Sequence, residues 1–224
     1  WENSDGDILG WLNADDSMFP SALTLASARF SERASLDVVC GHSTIVDEND
    51  RMTGYHFNVA PVSERLLEGC IISQPSCFFR RSTYESVGGL NRDLHYTMDW
   101  DLWLRLYSNQ AQFEFIDAPM SRVLWASDTK SASFNGRRRD ELKTLIEKYC
   151  PEEFRERTYK GFAFHARADM IWPRQLRERA TRFLRRAGQT VYGIRADGKV
   201  SGGAALKLLH YQKKGADELI LDFA

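Results

Sequence analysis

Two pairs of acids stand where carboxylates could do chemistry. In "GDILGWLNADDSMFP" (6–20) an apolar run, Ile8 to Leu12, leads straight into Asn13, Asp15 and Asp16. Adjacent carboxylates repel each other and cannot extend a buried strand. If both stay ionised they need a cation beside them, and beside a substrate diphosphate the fitting ions are Mg²⁺ or Mn²⁺, hard cations that prefer oxygen ligands. A second reading stands equally: Asp16 or Ser17 caps the helix that opens at Pro20. Further on, "TMDWDLWLRL" puts Asp99 and Asp101 at the mouth of a helix, where a cap and a first-turn acid are favoured by the helix dipole.

These acids must be positioned by the elements around them. The run from Asp7 to Leu12 predicts a short buried strand, with "NADDS" as the loop at its carboxyl end. In open α/β sheets that is where ligands bind. A helix follows at 21–33, then a β-rich stretch, Leu36 to Val46, and a charged turn, "DENDR". Tyr55 to Leu67 holds a loop and one short helix. Cys77 to Arg80 predicts a strand. Ser82 to Val87 predicts a short helix closed by Gly88 and Gly89. From Asp99 to Ser108, the residues Leu102, Trp103, Leu106 and Tyr107 recur at helical spacing, which predicts an amphipathic helix with Trp103 in the core. "AQFEFIDAPM" alternates as a strand does. Helices are expected at 137–148, at 153–171 with an interruption at Gly161, and at 173–187.

The bulk numbers fit a folded protein. The chain has 224 residues, 43% of them hydrophobic, and a formal net charge of -1. A protein whose main partner is nucleic acid would show a basic excess, so no nucleic-acid partner is expected. The four cysteines, Cys40, Cys70, Cys77 and Cys150, form no C-x-x-C pair, and buried free thiols are expected. No apolar run approaches the ~20 residues of a membrane span. Trp1 stands where Met would open a chain, and "LILDFA" stops inside a strand-like run. The sequence therefore reads as a piece of a longer protein.

Two blocks in order carry a resemblance. "GDILGWLNADDSMFPSAL", followed by "QPSCFFRRSTYESVGGLNRDLHYTMDWDLWLRL", is similar to the catalytic half of family 2 inverting glycosyltransferases with the GT-A fold. The first block resembles that family's metal-binding strand end. The second resembles its acceptor-side segment. The resemblance implies an α/β fold: a partial GT-A, Rossmann-like mixed sheet flanked by helices, at 1–133, lacking the N-terminal nucleotide-binding half. A helical extension at 134–187 and the start of a β-rich module at 188–224 would follow it.

The resemblance also implies roles. Asp15 and Asp16 would hold Mn²⁺ or Mg²⁺ against the donor diphosphate, with Asp15 the more direct ligand. Asn13 stands where many members have the motif's first acid. Asp99 matches the base that takes the proton from the acceptor hydroxyl, and Gln74, Trp100 and Asp101 fall on the acceptor side. Arg81 beside them allows two readings, a phosphate contact or a surface ion pair, and His95 reads as a loop residue that ligates nothing. Where many members have a His that completes the metal site, "RVLWASDTKSAS" has Ala126 near that position.

The partners implied are a nucleotide-diphosphate sugar and a saccharide or lipid-linked acceptor, as in building cell-surface polysaccharide. The expected location is the cytoplasm. The Arg-rich helix at 173–187 allows two readings: a basic face lying on the inner surface of an anionic membrane, or a solvated face whose apolar stripe docks on the domain. Two non-enzymatic alternatives remain open at this point. One is a truncated, inactive fragment that only binds a glycan or a protein. The other is a structural domain that binds cations through "NADD" and "DENDR".

Overall fold

The computed structural model describes residue 1 and residues 3–56, 65–125 and 135–171. The helix expected at 173–187, the β-rich module expected at 188–224 and Ala126 lie outside the described residues. The fold is α/β, a mixed sheet flanked by helices, as the sequence predicts. Its strands are β1 (Ile8–Gly10), β2 (Ser17–Met18), β3 (Val38–Val46), β4 (Met52–His56), β5 (Cys77–Arg80) and β6 (Phe113–Leu124). The order is β1-β5-β3-β6-β2, with β4 also pairing with β3. Among the described residues only β3 and β6 run parallel, and the other pairs are antiparallel.

Strand β3, "VVCGHSTIV", is buried along nearly its whole length, which makes it the sheet's spine. Its alternate residues feed two cores, since successive side chains leave opposite faces of a strand. On one face, Val39, Phe78, Ile116 and Met120 pack with Ala22, Ala26 and Phe30 of α1 (Ala22–Glu32). The i, i+4, i+8 spacing of those three is why this stretch is a helix lying on a sheet. On the other face, Val38, Cys40 and Phe79 pack with Trp100, Leu102, Trp103 and Leu106. Gly41 is needed where β6 comes closest: a Cβ there would lie 2.9 Å from the Ala118 carbonyl oxygen.

The remaining helices are α2 (Arg65–Glu68), α3 (Arg81–Ser86), α4 (Met98–Ser108), α5 (Gly136–Tyr149) and α6 (Glu152–Ile171). Gly88 and Gly89 follow α3 at φ +79° and +71°, the left-handed conformation in which glycine is at no steric disadvantage. A 3-10 turn, Gln74–Ser76, leads into β5. Leu142, Leu145 and Ile146 of α5 share the core of α4, so α5 packs directly against the sheet domain. None of the four cysteines is in a disulfide; Cys40, Cys77 and Cys150 are buried and Cys70 is half-buried.

Three local expectations differ from the structure. The sequence shows no strand at 17–18 or 52–56, yet β2 pairs with β6 and β4 pairs with β3. Both strands are short and take their stability from a partner distant in sequence or from a hairpin turn. Helix α6 runs unbroken through Gly161. Glycine costs only about 1 kcal/mol in a helix interior, which packing readily offsets. Helix α4 is not a half-exposed helix: Trp100, Asp101, Leu102, Trp103, Leu104 and Leu106 are all buried.

Candidate functional site

The loop after β1 is held in place by amides. Asn13 Nδ2 donates to Asp16 Oδ2 at 3.0 Å and to Gln74 Oε1 at 2.9 Å. Gln74 Nε2 donates to the Trp11 carbonyl. Asp16 Oδ1 accepts the Leu124 N–H at 3.2 Å. Gln74 and Asn13 are therefore struts that tie the acid loop to the 3-10 turn, and Asp16 ties it to the end of β6. Behind Gln74, the hydroxyls of Ser43, Ser73, Ser76 and Ser121 bond to one another at 2.5–2.8 Å and fix the 3-10 turn from below. Burial pushes the Asp16 carboxyl above its ordinary value, and the neighbouring Asp15 charge adds to this, against the bonds from Asn13 and Leu124.

Asp15 stands exposed at the loop tip. Among the described residues, no group of three or more His, Cys, Asp or Glu side chains could hold a metal ion on its own. That donor set still fits Mg²⁺ or Mn²⁺ of one kind: an ion held by one or two carboxylates, keeping water and completed by substrate phosphate. Asp15 is the carboxylate available for it. Asp16, whose two oxygens already accept N–H bonds, stands behind.

Asp99 lies at the second residue of α4, half-buried. Its Oδ1 accepts the Trp100 N–H at 2.7 Å, and the Cys70 thiol donates to its Oδ2 at 3.8 Å. Burial pushes the Asp99 pKa up, against the N–H groups of Trp100 and of its own backbone, the Cys70 thiol and the charge of Arg138. Burial and the Asp99 charge together push the Cys70 thiol well above its usual range, so it stays protonated and remains a donor.

The mouth of α4 is anchored from another helix. Thr97, its N-cap, makes no side-chain cap of its own. Instead the Glu141 carboxylate, on α5, accepts the N–H groups of His95 (2.9 Å), Tyr96 (2.8 Å) and Thr97 (3.2 Å). Burial alone would raise the Glu141 pKa; the bonds from Tyr96, His95, Arg137 and Thr97 outweigh it and hold it below the usual carboxylate value. Charge-assisted bonds of this kind contribute roughly 1.5–3 kcal/mol. Glu141→Gln is therefore expected to lower unfolding free energy by about that amount in denaturant titration. Because the folded pKa is depressed, the contribution is present above the unfolded Glu value and is lost as pH falls through the folded one. The difference between parent and variant should accordingly shrink in acid.

These pieces meet in one cavity of about 630 Å³. Its walls include Asn13, Asp15, Asp16, Gln74 and Asp99 from the sequence-derived set, together with His56, Cys70, Trp125 and Arg138. Two other sequence candidates are not brought there. Trp100 is 1% exposed and donates its Nε1–H to the Leu66 carbonyl at 2.8 Å. Asp101 is 3% exposed and paired with Arg105 at 2.8 Å. Both are core residues, because α4 is covered on nearly every side, and neither lines the cavity. Arg81 donates to the carbonyls of Gly6 and Ser4 and braces the N-terminal segment. His95 packs edge-on against Tyr96.

Sequence reasoning missed His56, Cys70 and Arg138. Burial lowers the His56 pKa to about 4, with His42 nearby adding to the effect, so its imidazole is neutral at pH 7. His56 ends a strand with no sequence signal, and Arg138 sits in "GRRRDE", which reads as solvated surface.

No family model matches the chain. It is similar to proteins named as uncharacterized glycosyltransferases in three Rickettsia species. The one from Rickettsia typhi is 26% identical over 145 residues, covering 58% of this chain and 44% of the relative. That of Rickettsia prowazekii is 24% identical over 145 residues with the same coverage. That of Rickettsia conorii is 23% identical over 119 residues, covering 47% and 19%. The chain thus spans less than half the length of these curated relatives. Among solved structures it is similar to S. aureus TarS at a TM-score of 0.47 and 12% identity, over 72% of this chain and 29% of that one. The 1–349 piece of TarS gives 0.45 and 13%, over 68% and 48%. Among the described residues, no helix is long and apolar enough to cross a membrane.

Proposed function

We propose that this chain carries the acceptor side of a family 2, GT-A, inverting glycosyltransferase site. It would move a sugar from a nucleotide diphosphate to a hydroxyl of a saccharide or lipid-linked acceptor, in cell-surface polysaccharide synthesis at the cytoplasmic side. The observation that supports this most is a single cavity shared by Asp15 and Asp99, two acids far apart in sequence, with Asp99 made more basic by burial. Its volume falls within the range of small-ligand sites.

The chemistry balances on these groups. Asp99 accepts the proton of the acceptor hydroxyl. The hydroxyl oxygen bonds to the anomeric carbon from the face opposite the diphosphate. The bond from that carbon to the diphosphate oxygen breaks, and the diphosphate leaves with the electron pair, so configuration inverts. A carboxylate pKa raised toward the working pH makes a better general base. The Cys70 thiol positions the carboxylate by donating to Oδ2. Mg²⁺ or Mn²⁺ held by Asp15, with Asp16 behind it, would offset charge on the leaving diphosphate.

A panel of nucleotide-sugars tests the reading. The full-length protein with Mn²⁺ and a mixed saccharide and lipid-linked acceptor fraction is expected to release nucleoside diphosphate from one donor, faster with acceptor than without. Release from none of the donors, together with retention on immobilised glycans, would make the protein a binding module instead.

A further inference from the structure

Helix α5 follows both sequence blocks that resemble the transferase, yet it contributes to the cavity wall. Three consecutive arginines occupy its first turn, and they have different surroundings. Arg137 pairs with Glu141 at 3.1 Å and donates to the Asp93 carbonyl. Arg139 is exposed and lies 3.6 Å from Asp140. Arg138 is half-buried and lines the cavity.

The placement of Arg138 is fixed from both sides. Its backbone N–H donates to the Asn135 Oδ1 cap at 3.0 Å. One turn along the same helix face, Glu141 clamps the backbone of 95–97, at the mouth of the helix that carries Asp99. The α5 start is thereby held across the α4 start, and the Arg138 charge acts on Asp99. The cavity otherwise has the wrong sign for an anion. Asp15, Asp16 and Asp99 face into it, and His56 is neutral. Among the described residues lining the cavity, Arg138 is the one arginine or lysine.

We infer that Arg138 is a substrate-binding residue of this site, contacting a phosphate-type anion of the bound substrate on the Asp99 side. The inference rests on reading this cavity as the transferase site. A guanidinium suits the role because it is always charged and can grip two phosphate oxygens at once. Two sources could present that anion, the donor diphosphate or an acidic group on the acceptor.

The test starts with binding, which needs no turnover. Inorganic pyrophosphate is titrated calorimetrically into the full-length protein with Mg²⁺ present. Arg138→Gln is expected to weaken binding about tenfold or more, the size of a lost charge-assisted contact. Arg138→Lys should recover part of the loss, and the neighbouring Arg139→Gln should match the parent. Kinetics then separate the sources: a raised KM for the nucleotide-sugar assigns the donor diphosphate, and a raised KM for the acceptor assigns an acidic acceptor. Pyrophosphate binding that is absent in the parent, or equal in Arg138→Gln and Arg139→Gln, would overturn the inference. Loss of pyrophosphate binding in Arg138→Gln without nucleoside diphosphate release by the parent would instead overturn the transferase reading alone.

Discussion

Replacing Asp99 by Asn is expected to cut turnover by about a hundredfold or more, within the ~10²–10⁴ range of general-base removal, while the fold holds or gains stability. The stability half of that statement follows from the sign of the pKa shift. Burial raises the folded-state pKa of Asp99 above its unfolded value. The folded state then binds the proton more tightly than the unfolded chain, so stability falls as pH rises between the two values. At neutral pH the ionised Asp99 is a cost to the fold, and a neutral amide of the same shape removes it. The Asn amide oxygen can also accept the Trp100 N–H that Asp99 Oδ1 accepts. Melting temperature and initial rate on the one variant decide the matter. A rate within a few-fold of the parent, or a parallel fall in both, would return Asp99 to a structural role.

The two acids of the β1 loop are expected to separate. Asp15→Ala should lower Mn²⁺-dependent turnover by at least about a hundredfold, the size of losing one contact to developing negative charge, and leave melting unchanged. Its carboxylate is exposed at the loop tip, so its removal takes no buried contact from the fold. Asp16→Ala should lower both. It removes the acceptor for Asn13 Nδ2 and for the Leu124 N–H, which join the loop to β6. Excess chelator should abolish turnover in the parent, and Mn²⁺ should restore it. Full activity in chelator, or melting losses that are equal in the two variants, would contradict the division of labour between Asp15 and Asp16.

What the sequence revealed was local. The apolar run at 8–12 does form a strand, but β1 is shorter than expected: it stops at Gly10, and Leu12 is exposed in the loop that carries the acids. The spacing of Leu102, Trp103 and Leu106 made a helix, and the paired glycines closed α3. The positions that failed depend on what packs against them. Nothing in "MDWDLWLRL" says that α4 is enclosed by α2, α5 and the sheet, so Trp100 and Asp101 looked available when both are core. Gln74 was placed on the acceptor side by the resemblance of the block that opens with it. Its amide is spent on Asn13 and Trp11 instead. His56 and Arg138 were invisible for a related reason: each reaches the cavity through a pairing or a helix contact that no short window contains.

The pH dependence of kcat/KM in the full-length protein tests the central claim most directly. If Asp99 is the base, the rate should fall on the acid side with a midpoint above the ordinary Asp value of about 3.9. Asp99→Asn should flatten that limb, leaving a small residual rate with no such midpoint. An acid limb at the ordinary carboxylate value, or one that persists unchanged in Asp99→Asn, would contradict the account.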